Sequence, residues 1–124
     1  MNISFDELIT KLRNPLTIKE WSHFTEGKTI NPEIWTQVNK EGTNLLMIAL
    51  KYQTNPDIIK EVLSHVSTLE NQQEIWTHVN NNGYNSLMVA LSNQIDPNII
   101  KAILSHLSTI AKQKPEIWTQ VTKD

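Results

Sequence analysis

Four histidines, at positions 23, 65, 78 and 106, are the side chains here that titrate nearest neutral pH. Such groups serve as metal ligands or as general acids and bases. His65 and His78, with nearby carboxylates, define one reading: a small metal-dependent or hydrolytic enzyme. Their spacing points elsewhere. His23, His65 and His106 recur at equivalent places of an internal repeat. Equivalent positions on stacked helices lie roughly 8–10 Å apart, whereas ligands of one zinc ion lie about 2 Å from it. A histidine near the last carbonyls of a helix is the simpler expectation, with His78 on the surface. No Ser-His-Asp order, HExxH or phosphate-cradling glycine loop accompanies them. The reading is therefore not an enzyme, with no catalytic residue, cofactor or metal expected. Trp35, Trp76 and Trp118 recur in step with Ile and Val, which suits apolar seams better than a ligand-stacking ladder.

The elements that position these residues come from a phrase written twice. EIWTQVNKEGTNLLMIALKYQTNPDIIKEVLSHVSTL begins at Glu33, and a near copy begins at Glu74, 41 residues on. A third start, EIWTQV, opens at Glu116. Repeats of this length signal stacked supersecondary units that bury their apolar faces against each other. Asn14-Pro15, Asn55-Pro56 and Asp96-Pro97 keep the same 41-residue offset. The first segment is thus a degenerate capping repeat. The 124 residues divide into that cap at 1–30, repeats at 31–71 and 72–113, and a partial repeat at 114–124, all within one domain.

Within a unit, Leu45, Leu46, Ala49 and Leu50 recur at helical spacing, predicting a first helix over 44–52. Asn55-Pro56 reads as an N-cap with proline at the first helical position, opening a second helix to Leu69. Its face is Ile58, Ile59, Val62, Leu63, Val66 and Leu69; the copy offers Ile99, Ile100, Ile103, Leu104, Leu107 and Ile110. Ser4-x-x-Glu7 and Thr17-x-x-Glu20 match capping boxes in the first unit, where Ile18, Trp21 and Phe24 form a stripe. For EIWTQV a single helical turn is expected, with Ile34, Trp35 and Val38 on one face; an extended strand is the alternative. The fold class is all-α: three stacked helix pairs with the C-terminal part-repeat.

Gly42 and Gly83 carry a more specific pattern. Leu46 and Leu87 follow four residues later, Met47 and Met88 five, and Ala49 and Ala90 seven. A branched pair and Val62-Leu63 or Ile103-Leu104 come next. This resembles the ankyrin repeat, in a divergent form like that of effectors of intracellular bacteria. Asn44-Leu45 and Asn85-Ser86 stand where that family has Thr-Pro, and the period exceeds the family's roughly 33 residues. A HEAT-like helical pair, with a period of roughly 40–47, is the competing resemblance.

The ankyrin resemblance implies a helical-repeat solenoid that binds a partner protein through pre-helix loops and the exposed side of the first helix. The corresponding residues are Lys40, Glu41, Thr43, Lys51 and Tyr52, then Asn81, Asn82, Tyr84, Ser92 and Asn93. They differ between copies while the core letters agree. Tyr52 and Tyr84 would be the aromatic anchors.

A net charge of −2 and eleven scattered basic residues give no electrostatic footprint for nucleic acid. Zero cysteines exclude disulfide and thiolate chemistry. No apolar run reaches the roughly 18–20 residues of a membrane span, and no secretory signal peptide is visible. Abundant Asn and a Lys excess over Arg have the flavour of an AT-rich, often bacterial, coding genome. The expected setting is a cytoplasm, the protein's own or that of a host reached without a signal peptide. There it would act as a bacterial effector or regulator, with a structural fragment of a longer array as another alternative. A monomer is expected over a dimer built on Trp118 and the last helix.

Overall fold

Short helices account for nearly all the order in the computed structural model, which describes residues 2–93 and 96–122. Helix α1 (Phe5–Leu12) starts at Ser4, whose hydroxyl accepts from Glu7 N–H while the Glu7 carboxylate accepts from Ser4 N–H. Helix α2 (Ile18–Thr25) starts the same way on Thr17 and Glu20. Both capping boxes are those the sequence predicts. The donated N–H groups hold both carboxyls below the usual carboxylate range.

Asn44 caps α3 (Leu45–Tyr52), and Asn55 with Pro56 opens α4 (Pro56–Ser67). The linker of the first copy is a 3₁₀ turn at Pro32–Thr36, whereas that of the second is α5 (Gln72–Thr77). Then come α6 (Ser86–Asn93), α7 (Pro97–Ala111), capped by Asp96, and α8 (Ile117–Thr122). The helical turn expected for EIWTQV is present in all three places. Among the described residues no β-strand forms, and the fold is all-α; one isolated parallel bridge joins Asn2 to Thr29.

Helix α3 packs between α1 and α6, while α4 contacts both α2 and α7. The first helices of successive copies thus touch one another in sequence order, as do the second helices. The core runs along the seam, through Leu8, Leu12, Leu46, Ala49, Val62, Val66, Ala90, Ile103 and Leu107. At roughly 25 cal/mol per Å² of apolar area removed from water, this continuous seam is the main stabilising term.

Buried amides fix the copies to each other. Gln53 donates Nε2–H to the carbonyls of Leu12 (2.8 Å) and Asn14 (2.7 Å) and accepts Leu16 N–H at 3.0 Å. It thus satisfies the turn between α1 and α2 from the next copy along. Asn44 accepts Met47 N–H and reaches the Ile75 carbonyl at 3.5 Å. Asn85 accepts Met88 N–H and donates to the Val121 carbonyl at 2.8 Å. Val121 corresponds to Val79 rather than Ile75, so α8 sits one turn further along than α5. Val121 is consequently buried, while Val38 and Val79 are exposed.

Three sequence expectations are corrected. Val38 does not share the buried face of Ile34 and Trp35, because the backbone turns extended at Gln37. Ile18 lies exposed at the first residue of α2 beside buried Trp21. Leu104, placed on the buried face of α7, is 39% exposed. Among the described residues, no helix is long and apolar enough to cross a membrane.

Candidate functional site

The loops before α3 and α6 are built alike. In the first, Asn39 Oδ1 accepts the N–H groups of Glu41 and Thr43, both at 3.0 Å, and Gly42 N–H donates to Asn39 O. In the second, Asn80 Oδ1 accepts from Asn82 and Tyr84 at 2.9 and 3.0 Å, and Gly83 N–H donates to Asn80 O. An asparagine folding its own backbone two residues on favours this kind of turn. Each glycine takes positive φ, +73° at Gly42 and +81° at Gly83, which a Cβ would disfavour.

The two loops are also fastened together. Asn81 donates its backbone N–H to Glu41 O at 2.9 Å and its side-chain N–H to Lys40 O at 3.0 Å. His78 Nε2 donates to Gly42 O at 2.7 Å. The fit is tight, since a Cβ on Gly42 would stand 2.8 Å from Asn81 Oδ1.

Beside this double loop runs a groove of about 450 Å³. Its floor is Met47, Ile48 and Val89; its walls include Arg13, Asn39, Glu41, Thr43, Lys51, Tyr52, Asn80, Asn82, Tyr84 and Asn93. The Lys51 ammonium lies 5.2 Å over the half-buried Tyr52 ring, and Tyr84 is 46% exposed. Arg13 and Lys51 bring positive charge and Glu41 negative charge to one rim. With hydrogen-bonded loops, two aromatic rings and mixed charge, the groove offers groups for stacking and hydrogen bonding.

Seven of the sequence-selected residues, Glu41, Thr43, Lys51, Tyr52, Asn82, Tyr84 and Asn93, line this groove. Lys40 instead faces a neighbouring cleft with Phe5 and Ile9. Asn81 is a strut between the loops, and Ser92 is exposed on α6 away from the groove. Sequence reasoning missed Asn39 and Asn80, although Asn-x-x-Gly recurs at the repeat spacing. It also missed Arg13, which belongs to the capping repeat and whose counterpart in the copied phrase, Thr54, carries no charge.

The histidines have other tasks than a shared site. The His65 ring stacks on Trp35 with centroids 5.9 Å apart, and His106 meets Trp76 at 5.5 Å. The carbonyl of His65 is satisfied by Thr68, not by an imidazole. Burial pushes both rings below the usual histidine range, opposed at His65 by the Glu61 carboxylate. His78 is half-buried and hydrogen-bonded rather than free on the surface; His23 is exposed. Among the described residues no three His, Asp or Glu side chains are grouped so as to hold a metal ion.

No family model, curated protein or solved structure matches this chain.

Proposed function

We propose that the protein is a non-catalytic interaction module, an ankyrin-like helical-repeat solenoid. Its groove between the pre-helix loops and the first-helix faces holds a segment of a partner protein. The observation that carries this reading is the groove itself. Residues that vary between otherwise matching copies line one wall system on a backbone held rigid by the Asn39, Asn80, Asn81 and His78 hydrogen bonds. Fixed loops lower the ordering cost of binding, and variation at fixed backbone positions is how repeat proteins choose partners. A bacterial effector or regulator is the setting this reading favours, on sequence flavour and divergent repeat pattern alone.

The test replaces Tyr84 with a photo-reactive amino acid and identifies what cross-links to it. In pull-downs with the identified partner, Tyr52→Ala combined with Tyr84→Ala should abolish capture. Lys19→Ala, on exposed α2, should leave capture unchanged. Undiminished capture by the double tyrosine variant would remove the groove from consideration.

A further inference from the structure

Glycine follows asparagine at one place in the sequence, Asn82-Gly83. Such a pair is reactive. The glycine nitrogen can close a ring on the asparagine carboxamide carbon, and no Cβ obstructs the approach. After every other asparagine the next residue is bulkier, and after Asn14, Asn31 and Asn55 it is a proline with no N–H to lose.

The structure separates the three amides of the run Asn80-Asn81-Asn82. Asn80 Oδ1 accepts from the Asn82 and Tyr84 N–H groups, and Asn81 Nδ2–H donates to Lys40 O. The Asn82 carboxamide has no hydrogen-bond partner among the described residues, on an exposed side chain at the groove. Asn85, which precedes Ser86, is buried and held at both ends of its amide. Gly83 is exposed too, and an added Cβ there would meet nothing within 4 Å, so the ring and the water that opens it have room. One bond stands in the way: Gly83 N–H donates to Asn80 O at 2.9 Å. An exposed turn bond of this kind opens without global unfolding.

We propose that Asn82-Gly83 is a self-modification site, where the Asn82 carboxamide becomes a carboxylate with water as the only co-reactant. When the turn bond opens, the Gly83 nitrogen loses its proton to solvent and attacks Asn82 Cγ. The new C–N bond closes a succinimide ring as the Cγ–Nδ2 bond breaks, and Nδ2 takes up a proton and leaves as ammonia. Water then adds to either ring carbonyl and opens it, leaving aspartate or its β-linked isomer. Nothing is oxidised or reduced.

The consequence falls on the groove. Position 82 is the counterpart of Glu41, so the reaction gives the second loop the charge that the first already carries. Arg13 and Lys51 then face two carboxylates instead of Glu41 alone. The chemistry needs no occupant in the groove and stands apart from the interaction reading.

To test this, the full chain is incubated in mildly alkaline buffer made with heavy-oxygen water, digested in ordinary water and mapped by tandem mass spectrometry. Labelled acid should accumulate at position 82 before any other asparagine, as a mixture of the normal and β-linked forms. Asn82→Gln should lose that product, because the longer side chain closes a less favourable ring. Its circular dichroism should be unchanged, since the site is exposed. The urea-unfolded chain should react faster at the same place, with the turn bond gone. Label appearing first at another asparagine of the folded chain would overturn the proposal. So would a folded chain left unlabelled at position 82 while the unfolded chain is converted, or an unfolded chain that does not react there.

Discussion

Residues 43–70 and 84–111 present an internal experiment, in which nearly the same helices are placed in different surroundings. Caps and loop hydrogen bonds agree between them. Yet Leu50 is enclosed and Leu91 is not, and Gly42 is crowded by Asn81 while Gly83 has nothing within 4 Å of an added Cβ. The letter fixes the local conformation, and the neighbour fixes the burial. A leucine at one position in the repeat is thus core in one copy and edge in the other.

The sharpest way to break this contrast is to truncate the paired leucines. Leu50→Ala should cost about 2–5 kcal/mol, since it leaves a cavity enclosed on all sides. Leu91→Ala should stay within about 0.5 kcal/mol when measured by urea denaturation. Similar losses at both sites would show that the copies are equally enclosed.

The glycines give a smaller difference. Alanine at either position pays roughly 1–2 kcal/mol for the left-handed backbone. Gly42→Ala must also displace Asn81 and should therefore cost about 1 kcal/mol more than Gly83→Ala, again read from urea midpoints.

The smallest effect is one of pH. His65 and His106 are held neutral when folded, so the unfolded chain takes up protons first as pH falls below 6.5, its ordinary value. Stability is thus fully present above that pH and declines below it. The decline should be steeper through His106, whose Nε2 is buried without a hydrogen-bonding partner and which has Ala102 where His65 has Glu61. Melting curves between pH 7 and 5 should flatten more with His106→Gln than with His65→Gln. The reverse order would mean that Glu61 does not act on His65.

Much of the helix plan was legible because it is local. Ser4, Thr17, Asn44, Asn55 and Asp96 each sit where a side-chain acceptor and a following turn of helix make a cap, and all five do so. The groove was partly legible, since variable letters before and along the first helices found most of its wall. What stayed hidden depends on the third dimension. Asn81 looks like any loop asparagine until Lys40 and Glu41 stand beside it. Gln53 recurs at the repeat spacing but its partners do not show in the sequence, since it satisfies the α1–α2 turn from a distant part of the chain. Its sequence counterpart, Gln94, lies outside the described residues. The exposure of Leu104 and the slip of α8 follow from which surfaces meet, not from any residue's own preference.

Asn44 and Asn85 each use one amide for two duties, the oxygen initiating a helix and the nitrogen gripping a carbonyl of the linker helix that follows. Loss of the downstream helix removes one of those two hydrogen bonds and uncovers the very residue that launches the upstream helix. Order in adjoining copies is thereby coupled through a single planar group, whose two ends serve two different helices.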